Sequence, residues 1–166
     1  MRAGSERAAI LAGRLTQAND AVIAFVDQCP VEDWRAVTQE EGWPVGVVCH
    51  HIAWIFGAHR ALVERAAAGE PLPAEITWEL VHERNAQQAR EWADYMPETT
   101  RDLLRQQGDE AAQTVRQLSD AQLARTTVFS LVGETPITTE VLVKIMTNHA
   151  LGHLKSAQTT ASDSSQ

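Results

Sequence analysis

The chain contains only two cysteines, Cys29 and Cys49, in 166 residues. That is too few for a disulfide framework. No apolar run approaches the roughly 20 residues that a membrane-spanning helix needs, although 44% of the residues are hydrophobic. Positive charge is in deficit, with 14 Lys and Arg against 22 Asp and Glu and a net charge of −8. That balance argues against a nucleic-acid or anionic-membrane partner and leaves a small-molecule substrate open. No signal-peptide pattern is visible, because Met1–Arg7 runs straight into helical spacing. The expected location is cytoplasmic. Internal repeats and low-complexity linkers are also lacking, and the length suits one domain with a sizeable core.

What the sequence has instead is apolar residues at helical spacing. Residues 5–28 form one such stretch, with Leu11, Leu15, Ala18, Val22 and Phe25 on a stripe, Ser5 as a cap and Cys29-Pro30 as the stop. Residues 30–41 read as a connector with a short turn around Val31–Trp34. A second helix spans 44–68, opened by Pro44 and stopped by Gly69, Pro71 and Pro73. A third long one spans 98–118 behind Pro97, with Leu104, Ala111, Val115 and Leu118 as its stripe, weakened by Gly108. The last spans 140–159, capped by Thr138 or Thr139. Between the second and third lies a middle segment, 78–95, which places Trp78, His82, Asn85, Ala89 and Trp92 on one face. Leu118-Ser119-Asp120 reads as a stop followed by another short turn. Residues 126–137 are β-branched and read as an extended loop or short hairpin. The fold expected is all-α: a four-helix bundle over 1–159 with the middle helix laid over an end or side, and a flexible polar tail at 160–166.

Chemistry concentrates in the histidines. His149 and His153 are four residues apart, about 40° apart on the last helix, amid Leu142, Ile145 and Met146. His51 is central in the stripe of the second helix, with Val48, Ile55, Ala58 and Leu62 within about 60° of it. Buried imidazoles need partners, and one divalent metal can satisfy all three. Three imidazoles leave a coordination position open, and zinc and nickel both suit them. For depths to match, the second and last helices must be adjacent and antiparallel.

Trp43-Pro44-Val45 leading into His51-Ile52-Ala53-Trp54, the Asn85-Ala86 pair and the final His149/His153 pair resemble, in that order, the DinB-like metalloproteins. That superfamily includes mycothiol-dependent maleylpyruvate isomerases and bacillithiol S-transferases. The resemblance covers nearly the whole chain and implies an up-and-down four-helix bundle, often a homodimer, whose metal ligands match His51, His149 and His153. It also implies a low-molecular-weight thiol such as mycothiol or bacillithiol as co-substrate. Apolar residues outside the stripes, Ile23, Val143 and Leu151, are candidates for a dimer face.

Each residue also has a plainer reading. Paired histidines can be satisfied by polar neighbours, and His51 alone would be a core residue. His50, about 100° from His51, is the fallback ligand if the helix is rotated. His82 and Asn85 are possible helpers at the site, or simply hydrogen-bonded structural groups. Trp54, Trp78 and Trp92 line a pocket or just pack. Cys49, about 160° from His51, reads as an inert buried thiol. The expected function is a metal-dependent enzyme activating a thiol, as S-transferase or isomerase. The alternatives are a metal-dependent hydrolase and a non-catalytic metal-binding or stress-related bundle. No carboxylate stands near the ligands along the sequence, since Glu140 precedes His149 by over two turns, which favours thiol activation over hydrolysis.

Overall fold

The computed structural model describes residues 4–164. Met1–Ala3, part of the stretch read for a signal peptide, and residues 165 and 166 of the expected tail lie outside it. Four long helices, α1 (Glu6–Gln28), α3 (Val45–Ala68), α5 (Pro97–Arg116) and α7 (Thr139–Ser164), form the bundle. Single-turn helices α2 (Val31–Trp34) and α6 (Asp120–Leu123) sit where short turns were expected, and α4 (Trp78–Glu91) is the additional middle helix. The 126–137 stretch closes as a two-residue antiparallel hairpin, Thr126 opposite Thr138 and Thr127 opposite Ile137.

The helix ends follow local chemistry. Ser5 Oγ accepts from the Ala8 amide at 3.1 Å, a cap that contributes about 1 kcal/mol. Gly69 ends α3 at φ 80, where a side chain would be strained, and the Gly69 and Glu70 amides bond back to Ala66 and Arg65. Thr138, rather than Thr139, caps α7 by accepting from the Val141 amide. The last helix also continues through residues 160–164, which the sequence assigns to the tail. There the hydroxyls of Thr160 and Ser162 donate to the carbonyls of Ser156 and Gln158, four residues back.

Side-chain partners fix the direction of each long helix. Asp27 pairs with Arg101 and Asn19 lies against Gly108, so α1 and α5 are antiparallel. His50 meets Thr100, Arg60 meets Glu110 and Glu64 meets Thr114, so α3 and α5 run parallel. The helices α1 and α3 each pack on both α5 and α7, while α1 and α3 lie diagonally opposite. The all-α four-helix bundle is therefore the one expected, but its running order is up-down-down-up, not strict alternation. A parallel pair needs a connection that returns along the bundle, and residues 69–96, including α4, supply it.

The middle helix is more exposed than its sequence suggests. Within α4 only Gln88 is buried, and Trp78 is 55% exposed. Trp92, just beyond the helix, carries the contact with the bundle. The first half of α3, by contrast, is buried on every side from Val45 to Ala53. Trp34 closes one side of it, its indole N–H donating to the Tyr95 carbonyl at 3.0 Å. Of the residues expected at a dimer face, Val143 is in the core, Ile23 packs against the core, and Leu151 stays exposed. No described helix is long and apolar enough to cross a membrane.

Candidate metal centre

His51 lies in the second turn of α3, where residues 45–53 are buried all round, and is itself 2% exposed. The Trp54 ring stacks on it at 6.0 Å and the edge of Trp43 meets it at 5.5 Å. Its Nδ1 is buried without a hydrogen-bond partner. A buried neutral imidazole nitrogen of this kind retains its capacity to bond a further group. His149 and His153 face it from α7, with ring centroids 5.8 and 5.1 Å from His51. About two turns further along α3, His59 lies 5.7 Å from His149. Rising numbers on α3 thus meet falling numbers on α7, the antiparallel, adjacent arrangement that depth matching requires.

The nitrogen geometry fits a cation. One ligand atom from each of His51, His149 and His153 can be chosen so that all lie within 4.8 Å of one another. The Nε2 atoms of His149 and His153 are 3.0 Å apart. Two nitrogens held at about 2.1 Å by one ion stand roughly 3.0–3.4 Å apart for angles between 90° and tetrahedral. The α7 pair is already at that spacing, and closing the rest takes a shift on the order of 1 Å. Protonation states agree with this. Burial, with repulsion from neighbouring histidines, lowers His51 and His149 to about 3, which keeps their lone pairs free at neutral pH.

A carboxylate that the sequence did not reveal completes the cluster. Glu41 Oε1 is 2.7 Å from Nδ1 of His153, and Ser156 Oγ donates to Glu41 Oε2, also at 2.7 Å. Burial alone would raise its carboxyl, but the hydrogen bonds with His153 and Ser156 outweigh that and hold it at about 2. Glu41 precedes His153 by 112 positions, so no periodicity connects them. The available hint was the Glu41-Gly42 turn immediately before the helix that carries His51. The sequence shows no general base of the Glu type beside the ligands, and Glu41 reaches His153 only through the fold.

The other candidates separate cleanly. His50 turns toward α5, bonding Thr100 Oγ1 at 3.0 Å between the edges of Trp92 and Tyr95. It is therefore not positioned as the fallback ligand. His82 is exposed on α4 and stacks on Trp78, while Asn85 is half-buried on the next turn; neither is among the three gathered histidines. Trp54 covers His51, with the Arg84 guanidinium over the Trp54 ring and Trp92 beside it. Cys49 is fully buried and burial pushes its thiol up, as expected of an inert group. Between the 36–41 loop and α7 an open cleft of about 940 Å³ reaches His149 and His153, with Glu40, Lys155 and Asp163 on its walls.

The fold and site together define a helical bundle with three histidines gathered between two of its helices, two of them lining an open cleft. The sequence matches the DinB superfamily over residues 14–157, and the chain belongs to that superfamily. No curated protein matches it in sequence. Among solved structures it is similar to YfiT from Bacillus subtilis, described as a probable metal-dependent hydrolase with an unusual four-helix bundle topology. The TM-score is 0.78 at 15% identity, covering 99% of this chain and 92% of that one. A mycothiol-dependent maleylpyruvate isomerase is also similar, with a TM-score of 0.69 and 17% identity. That likeness covers 88% of this chain, which spans only 60% of the isomerase. At these identities the likeness establishes the fold.

Proposed function

We propose that the protein binds one divalent transition metal, zinc or nickel, through His51, His149 and His153, and uses it to activate a low-molecular-weight thiol for S-transfer or isomerisation. The observation that carries this reading is the convergence of three imidazole nitrogens within 4.8 Å, with His149 and His153 lining an open cleft. His51, His149 and His153 would hold such an ion with a coordination position open, and bound there it would supply Lewis acidity to a thiol or to water. The protein's own groups do the rest. His51 and His149 offer neutral nitrogens, Trp43 and Trp54 wall off the His51 side, and the cleft admits substrate past Lys155 and Glu40. Mycothiol and bacillithiol are the thiols to which the family relationship points, and mycothiol is the one named for the similar isomerase.

Hydrolysis is the second reading, favoured by the description of YfiT. Against it, both oxygens of Glu41 are engaged by His153 and Ser156, so this carboxylate is not free to act as a base. A homodimer belongs to the same proposal, and its support is family resemblance.

The test is elemental analysis of the purified protein followed by a transferase screen with several thiols. His149→Ala should lose most of the bound metal. Full occupancy in that variant would sink the site and the enzyme built on it, while metal binding without turnover on any thiol or ester would favour the non-catalytic bundle.

A further inference from the structure

We propose that Glu41 is a positioning residue for this centre: it holds His153 with the ring proton on Nδ1 and thereby presents the Nε2 lone pair toward His149 and His51. The proposal rests on the metal reading above. The two nitrogens of an imidazole point to opposite sides of the ring, so a carboxylate at Nδ1 stands behind the ligand, not in the site. Glu41 occupies that place at 2.7 Å, with a side chain only 9% exposed. A carboxylate can only accept, so a neutral ring bonded to it carries its proton on Nδ1. Nε2, 3.0 Å from Nε2 of His149, is then the nitrogen that carries the lone pair.

The loop that carries Glu41 is built to hold this aim. The Thr38 amide and hydroxyl both donate to the Trp43 carbonyl, at 2.9 and 3.1 Å, and the Gly42 amide donates to the Thr38 carbonyl. Gly42 takes φ 70, a left-handed conformation that a side chain at this position would strain. The turn ends in a bridge between Val37 and Pro44, where α3 begins. Ser156, three residues beyond His153 on the same face of α7, fixes the second oxygen. Two residues along the same loop, Trp43 meets the ring of His51. One short loop therefore braces the triad from both helices.

Three variants of the full-length protein test this, with zinc alone as probe and a competing chromophoric chelator to read affinity. Glu41→Ala removes both hydrogen bonds, and zinc affinity should fall about 10–100-fold, as for other carboxylates behind a ligating histidine. Glu41→Gln keeps an acceptor for Nδ1–H and should lose less than Glu41→Ala. Ser156→Ala leaves Glu41 in place and should change affinity less than either. A role in folding alone would not move the ring tautomer, so the second readout is the ¹⁵N spectrum of His153 in zinc-free protein. The wild type and Glu41→Gln should show the Nδ1–H tautomer, and Glu41→Ala a mixture. A zinc-free wild type with the proton on Nε2, or a Glu41→Ala protein that binds zinc within twofold of wild type, overturns the proposal and leaves the metal site standing. If the wild type takes up no zinc, the metal reading itself fails and this proposal fails with it.

Discussion

Replacing His51 by Leu should remove a specific part of the protein's acid sensitivity in the metal-free state. An unfolded histidine titrates near 6.5; in the fold, His51 is lowered to about 3, first by burial and then by His153, His149 and His59. The folded ring is therefore neutral where the unfolded one takes up a proton. Its contribution is present above the unfolded value and is lost as pH falls toward the folded one. The slope is about 1.4 kcal/mol per pH unit between the two. From pH 7 to pH 5 this amounts to about 2 kcal/mol, and any folded value below about 4 gives the same figure. Against a domain stability on the order of 5–15 kcal/mol, that is readily measured. Urea unfolding with a chelator present, at pH 7 and pH 5, should show wild type losing about 2 kcal/mol more than His51→Leu. Equal losses in the two proteins would mean that His51 is not buried as a neutral ring, and the site as described would be wrong.

Gly46→Ala would place a Cβ 2.4 Å from the Trp34 indole, which is 6% exposed and held by its bond to Tyr95. Overpacking and strain on that bond, less the helix propensity gained, should cost about 2 kcal/mol and roughly 4–8 °C in thermal midpoint; an unchanged melting curve would refute the contact. Zinc affinity should fall no more steeply than about tenfold per pH unit between pH 6.5 and 5, because His51 and His149 are lowered to about 3 and release no proton there. A three-proton slope in a chelator competition series would contradict this. His59→Ala should retain its metal by elemental analysis, since His59 touches His149 without joining the three converging nitrogens; loss of metal would make it a ligand.

Helix existence and termini were legible in the sequence because they are set within a turn or two. Ser5, Gly69 and Pro97 act on neighbouring amides and carbonyls whatever the rest of the chain does. The histidine pair was legible for the same reason, since a spacing of four on a helix fixes relative direction. His51 could be singled out from His50 by its stripe, but burial of both had to come from outside: Trp34, Trp92 and Tyr95 cover the flank of α3 where a lone helix would meet water. The middle helix shows the converse, because its aromatic face predicted contacts that its place on the surface does not provide.

Tertiary structure alone decided the running order of the bundle. An apolar stripe says that a helix has an inner face but not which neighbour that face meets, so α3 beside a parallel α5 could not be told from strict alternation. The same limit hid Glu41. Its position depends on a turn closed by Thr38, Gly42 and Trp43 and on α7 passing in front of it. The sequence determined which side chains could bind an ion, because that is local geometry. Packing decided which carboxylate stands behind them, because only packing brings residue 41 to residue 153.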